Sequence, residues 1–235
     1  MSATDSNAFI TFTKDVEDAL GSTAFESRLQ EIIKAVNVRG LLNAFLHPTI
    51  QDSLTSRGCE ASYFHSNGFL KLTLAGVAPE WVLRLHIWKG PPKINENDIH
   101  DHCGFFISRI IRGSLINQTF DFTGPNDGRE YYEFRHTVGA NPPVVWVGIK
   151  RLILTEETII NSNTTYFLPD TVIHRTIPTQ DFPCITLVLQ GPKRKTSSMI
   201  YRNSQRKSDA SDGSFNHEEY ISYIQEALNY AEASH

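Results

Sequence analysis

His100 and His102 stand one residue apart in Ile99-His100-Asp101-His102-Cys103, and a third histidine, His174, ends the segment Pro169-Asp170-Thr171-Val172-Ile173-His174. Side chains at i and i+2 of an extended strand share a face, so the first two imidazoles can be aimed at one point. Neutral imidazole is the commonest ligand of transition metals, and a three-histidine metal centre is the chemistry this spacing supports best. Three such donors accept Fe, Zn, Ni or Cu. They leave the divalent charge uncompensated, which favours a substrate that brings its own thiolate or carboxylate.

The elements that must position these residues follow from periodicity. Phe25, Leu29, Ile32, Ile33, Val36, Leu41, Leu42 and Phe45 recur at helical spacing, which predicts a helical N-terminal region broken near Gly40 and closed at Pro48. From Phe69 onward the pattern becomes short extended runs: 69–74, 81–88, 105–111, 131–134, 144–149, 164–168 and 185–190, separated by Gly-, Pro- and Asn-rich turns. Many short strands with little helix between them argue for a β-sandwich or barrel. Residues 202–216 read as a solvated linker. They lead to a helix over 218–233, whose stripe of Tyr220, Ile221, Ile224, Leu228 and Tyr230 caps the β-structure or packs at a subunit interface.

Within 81–88 the period of two puts Arg84, His86 and Trp88 on one face and Leu83, Leu85 and Ile87 on the other. If the first set faces the interior, Arg84 can neutralise a substrate carboxylate and His86 can move a proton. If it faces solvent, neither residue does chemistry. Phe106 shares the parity of His100 and His102 and is expected to form a dry wall beside the metal. His47, His65, His136, His217 and His235 are read as structural or exposed. Cys103 is either a small buried thiol or a ligand or redox partner.

Composition bounds the rest. A chain of 235 residues with 40% apolar content can bury a full core as one domain. A net charge of −4 and a pI near 6.1 give no electrostatic footprint for nucleic acid. The run Lys193-Arg194-Lys195 is too short to reverse that and reads as a solvated strand end. No apolar run approaches the ~20 residues needed to span a bilayer, and the N-terminus lacks a secretory pattern. A cytoplasmic protein with no membrane partner is expected. Cys59, Cys103 and Cys184 are scattered and odd in number, so no disulfide framework is indicated.

The segment from His100 to Gly113, with its His-x-His and six-residue gap from Phe106 to Gly113, together with Pro169-x-x-x-x-His174, resembles the two motifs of the cupin superfamily. The resemblance covers about residues 65 to 200. It implies an all-β core, a cupin-type double-stranded β-helix or jelly-roll barrel, to which periodicity adds N-terminal helices and a C-terminal helix. The corresponding divisions are 1–60 helical, 61–201 barrel, and 202–235 linker and helix. Two positions depart from the family: Phe106 stands where it has Glu, and Thr171 where it has Gly. The ligand set then becomes three neutral histidines, similar to the cysteine dioxygenase-like branch, in which Fe(II) sits on three histidines. That branch has a crosslinked Cys and Tyr where this chain has Phe106 or Ile107 and Gln190, so cysteine is not implied as the substrate. Its carboxylate-binding Arg falls near Lys71, which is either a point-charge substitute or a solvated strand lysine.

The function these readings imply is a non-haem Fe(II)-dependent dioxygenase of a small thiol- or carboxylate-bearing metabolite, using O2. His100, His102 and His174 would hold the metal, while Lys71, Arg84, Phe106 and Trp88 would contact the substrate and His86 would be catalytic. The alternatives are a non-catalytic ligand-binding or sensing cupin, and a metal-dependent isomerase that uses no O2. A monomer or homodimer is expected.

Overall fold

The computed structural model describes residues 3–46, 58–77, 80–91, 98–137, 139–205 and 214–232. His47, the expected helix stop at Pro48, His235 and residues 206–213 of the polar stretch lie outside them. Helices α1 (Ala3–Leu20), α2 (Phe25–Ala35) and α3 (Val38–Phe45) lead the chain, and α4 (His217–Glu232) ends it. The break between α2 and α3 comes at Val36 and Asn37 rather than at Gly40. Asn37 accepts the Gly40 N–H on its side-chain oxygen at 3.0 Å and so caps α3, while Gly40 itself is helical. A formed Asn cap is a stronger boundary than one interior glycine. α1 lies within the expected helical region 1–60 but is not singled out by periodicity; among its described side chains the buried stripe is Phe12, Val16 and Ala19. α4 starts with a reciprocal cap: Asn216 Oδ1 accepts the Glu219 N–H at 2.9 Å and Glu219 Oε2 accepts the Asn216 N–H at 3.0 Å.

The strands are β1 (Tyr63–His65), β2 (Phe69–Val77), β3 (Trp81–Trp88), β4 (Ile99–His100), β5 (Phe106–Arg112) and β6 (Ser114–Phe122). After them come β7 (Arg129–Thr137), β8 (Val144–Asn161), β9 (Thr165–Leu168), β10 (Ile173–Pro178), β11 (Cys184–Gln190) and β12 (Ser197–Arg202). They form two antiparallel sheets. One runs β1-β2-β3-β11-β5-β9; the other, β10-β4-β12-β7-β8-β6, closes on itself because β6 pairs with β10. Ile99, Phe120, Tyr131, Leu152, Ile173 and Tyr201, one from each strand of the closed sheet, form a small core of their own. The fold is thus an all-β, double-sheet jelly-roll barrel with N-terminal helices and a C-terminal helix.

The main core lies outside the barrel. Leu72, Leu83, Leu85, Ile87, Leu187 and Leu189 on the first sheet pack against Leu29, Ile33, Leu41, Leu42 and Ile224 of the helices. Burying side chains of this size contributes about 1.5–3 kcal/mol each. Tyr220 of α4 also donates its hydroxyl to the Thr73 carbonyl at 2.6 Å, so this helix is fastened to β2. With its apolar face covered by helices, the sheet's other face is free to carry polar residues into the interior.

The sequence reading missed β1, β6, β10 and β12 and stopped β8 at Ile149. The second half of β8 holds Thr155-Glu156-Glu157-Thr158, all exposed, and has no apolar alternation to announce it. Tyr131 of β7 is buried in the small core, and Trp146 of β8 is 54% exposed. Lys193 and Arg194 are exposed, as a solvated strand end should be, but Lys195 is anchored. Lys195 Nζ reaches Asp101 Oδ2 at 2.9 Å and the Asp170 carbonyl at 2.7 Å, and Arg194 pairs with Glu26 at 3.0 Å. Among the described residues, no helix is long and apolar enough to cross a membrane.

One crossing fixes the segment after His102. The Arg194 and Lys195 N–H groups donate to the Cys103 carbonyl at 2.8 and 3.0 Å, and a Cβ on Gly104 would stand 2.6 Å from the Pro192 carbonyl oxygen. Backbone cannot retreat from that contact as a flexible side chain would. Gly104→Ala is therefore expected to cost about 1–3 kcal/mol, measured from urea unfolding of the metal-free protein. An unchanged midpoint would contradict this account of the crossing.

Candidate metal centre

β4 is only two residues long, so the strand expected to carry both His100 and His102 ends at the first. His102 stands just past it, in the irregular segment held by Gly104 and Cys103. Pairing still aligns the set. His100 is the register partner of His174 across β4 and β10 and of Ile200 across β4 and β12. One ring nitrogen from each of His100, His102 and His174 lies within 4.8 Å of the others. The ring centroids are 4.6 to 5.0 Å apart.

Two of the rings are oriented from behind. His100 Nδ1–H donates to the Asp98 carbonyl at 2.9 Å, and His174 Nδ1–H donates to Asn117 Oδ1 at 3.0 Å, which leaves Nε2 of each as the free donor. His102 Nε2 and His174 Nε2 are 2.7 Å apart. Metal–nitrogen bonds of about 2.1 Å separate two ligands by about 3 Å, so a small ring adjustment accommodates an ion. The donor set therefore fits a transition metal. Asp98 and Asp101, the two carboxylates of the cavity wall, are paired with Arg202 and Lys195, at 2.8 and 2.9 Å. Phe106 occupies the next place, its ring 4.0 Å from that of His102.

These histidines open into a cavity of about 460 Å³ between the two sheets. Lys71, Arg84, His86, Trp88 and Phe106 all line it. Arg84, His86 and Trp88 face this interior while Leu83, Leu85 and Ile87 pack under the helices. Lys71 Nζ donates to the Tyr63 hydroxyl at 2.9 Å, and Arg84 Nη1 donates to Gln190 Oε1. Both partners are neutral, so neither cation is compensated there. Arg84 Nε, His86 Nε2 and Trp88 Nε1 are buried without a hydrogen-bond partner.

Burial is the leading influence on His65, His86, the three clustered histidines, Lys71 and Arg84. It lowers the proton affinity of His100 and pushes His65, His86, His102 and His174 well below the ordinary imidazole value. Neighbouring cations add to the effect. The Lys71 ammonium is pushed well below its ordinary range by burial and then by Arg84, and burial lowers Arg84 to about 10. The histidines are thus neutral, the form that ligates metal, and an anion in the cavity would relieve both cations. Burial also raises the Cys103 thiol, which is 8% exposed.

Two histidines that sequence reasoning set aside lie beside the site, and one residue at it was not singled out. His65 and His136, read as structural or exposed, both line the cavity. β1 is too short to show periodicity, and only its pairing with β2 turns His65 inward, where it stacks on Phe69 at 4.6 Å. Asn117 lies on the unrecognised β6, and no local signal links it to His174.

Comparisons with known proteins come to little for this chain. No family model and no curated protein matches its sequence. Solved structures similar to it include the Schizosaccharomyces pombe Cnp3 cupin domain, 5% identical with a TM-score of 0.34, over 53% of this chain and 65% of that one. A cupin superfamily protein from Desulfitobacterium hafniense is 10% identical with a TM-score of 0.33, over 54% and 80% of the two chains. Hydroquinone 1,2-dioxygenase PnpCD, in complex with Cd2+ and 4-hydroxybenzonitrile, is 9% identical with a TM-score of 0.31, over 51% and 62%. The chain therefore spans about two thirds of the Cnp3 domain and less of the dioxygenase chain.

Two outcomes follow from the geometry. Asn117→Ala should weaken Zn(II) or Co(II) binding about 10–100-fold, measured by competition with a chelating dye, while His174→Ala should abolish it and leave the barrel folded by circular dichroism. Wild-type affinity in Asn117→Ala would remove Asn117 as an orienting group. The buried histidines are bases whose folded proton affinity is depressed, so below a pH of about 6.5 the unfolded chain binds more protons and stability declines. The melting temperature of chelator-treated protein should fall between pH 7.5 and 5.5, less steeply in His65→Gln/His86→Gln. Equal slopes would place the titration elsewhere.

Proposed function

We propose that this protein is a non-haem Fe(II)-dependent dioxygenase acting on a small acid-bearing metabolite, with His100, His102 and His174 as metal ligands. The observation that carries the reading is the convergence of three neutral imidazoles, and no carboxylate, at one side of a buried cavity whose unpaired charges are positive. When bound, Fe(II) would supply open positions for a substrate anion and O2 and would favour the deprotonated form of a coordinated thiol.

The protein's own groups have separable tasks. Arg84 presents Nε, and Lys71 its ammonium, to a carboxylate in a setting of low dielectric, where such hydrogen bonds are strong. The anion in turn favours the charged form of Lys71. His86, neutral and with Nε2 free, is placed to accept or return a proton of the bound substrate. Phe106 beside His102 keeps water from that side of the centre.

Anaerobic reconstitution with Fe(II), followed by O2-uptake measurements against a panel of thiols and carboxylic acids, tests the reading. At least one acid should stimulate uptake, and Arg84→Gln should raise its KM by about 10–100-fold, the worth of a lost charge-assisted hydrogen bond. Stoichiometric iron with no uptake for any acid would reject the oxygenase and favour a ligand-binding cupin.

A further inference from the structure

The sheet wall of the cavity is divided by chemistry. The half built by β1, β2 and β3 carries Tyr63, His65, Lys71, Arg84 and His86, whereas the half built by β11, β5 and β9 carries Thr186, Ser108 and Tyr166. Register places these side by side: Thr186 opposite His86, and Ser108 opposite Tyr166. Thr176 adds a further hydroxyl from β10, two residues beyond His174 and on the same face. No charged residue of the cavity wall comes from β5, β9, β10 or β11.

That second flank is buried and incompletely satisfied. Thr186 is 1% exposed, yet its Oγ1 has no hydrogen-bond partner, and across the boundary Trp88, which ends β3 opposite Cys184 of β11, is 2% exposed with its Nε1 likewise unpartnered. An indole N–H can only donate. Leaving such groups unpaired is costly, so they call for an acceptor within the cavity. Tyr166 is a neutral phenol: burial pushes its hydroxyl up to about 12, with Ser108 pulling slightly the other way.

From these observations we infer a second binding site, an uncharged subsite of Ser108, Tyr166, Thr176, Thr186 and Trp88 that takes the oxygen-bearing, neutral tail of an elongated acid. The inference rests on the reading of Lys71 and Arg84 as the carboxylate site. Strands are spaced by about 4.8 Å, so Lys71 on β2 and Ser108 on β5, three strands apart, are separated by about 14 Å at the backbone. Thr186, one strand from Arg84, is nearer, but a compact amino thiol of about seven heavy atoms cannot bridge from Lys71 to Ser108, and a cavity of this volume lies in the range that holds much larger ligands. The substrate class is a monoacid with a hydroxyl or carbonyl roughly 10 Å from the carboxylate.

The test compares three probes on the full-length, Zn(II)-loaded protein by titration calorimetry: 8-hydroxyoctanoate, octanoate and 3-hydroxypropanoate. 8-Hydroxyoctanoate should bind at least about tenfold more tightly than octanoate, the worth of one buried hydrogen bond. Thr186→Val should bring that ratio close to one, and Thr186→Ser should restore it, with melting temperatures confirming that both variants are folded. Equal affinity for the two long acids, or a ratio unmoved by Thr186→Val, would overturn the subsite. Arg84→Gln serves as the separate control and should weaken all three acids together. If it does not, or if no acid binds at all, the carboxylate site is wrong and the tail subsite falls with it. An intact ratio in a protein that never consumes O2 would uphold the subsite while rejecting the oxygenase.

Discussion

The first sheet buries its apolar face under helices, and the rest of the site depends on that packing. Leu72, Leu83, Leu85, Leu187 and Leu189 meet α2, α3 and α4 outside the barrel, so the barrel need not be filled with apolar side chains to be stable. A cavity lined by Lys71, Arg84 and six histidines would otherwise cost more than a domain of this size can offset. The helices are therefore part of the site without touching it.

The closed second sheet solves a different problem. Its small core, one residue from each of six strands, makes a rigid back wall on which β4 needs only two residues. His100 is fixed by its partners on β10 and β12, and His102 by the crossing at Gly104, where backbone presses on backbone. Ligands held in this way need little support from the metal, which is consistent with a centre that tunes chemistry more than it supports the fold.

Electrostatically the site is arranged for an anion to complete it. The two carboxylates of the wall are already paired, two cations meet only neutral partners, and the histidines are held neutral by burial. Positive charge from a metal adds to this imbalance. Binding of an acid, the proton affinity of Lys71 and binding of the metal are consequently linked through one shared field.

His-x-His with the correct distance to Pro169 and His174, and the alternation of Arg84, His86 and Trp88, were legible in the sequence because motif spacing and strand parity are local properties of the chain. So were the helix over 25–46 as a region, the C-terminal helix and most of the first sheet, where apolar residues alternate or repeat. The direction in which the alternating face of β3 points was not legible, because either face of a strand can be the buried one until helices cover one of them. Nor were the inward turn of His65 and His136, the pairing of Asn117 with His174, or the anchoring of Lys195 on Asp101. Each joins residues from separate elements, some as much as 94 positions apart, and only tertiary packing decides which meet. The sequence by itself determined which side chains could do chemistry; the tertiary structure decided that they share one dry cavity, because burial and register are properties of the assembled sheets.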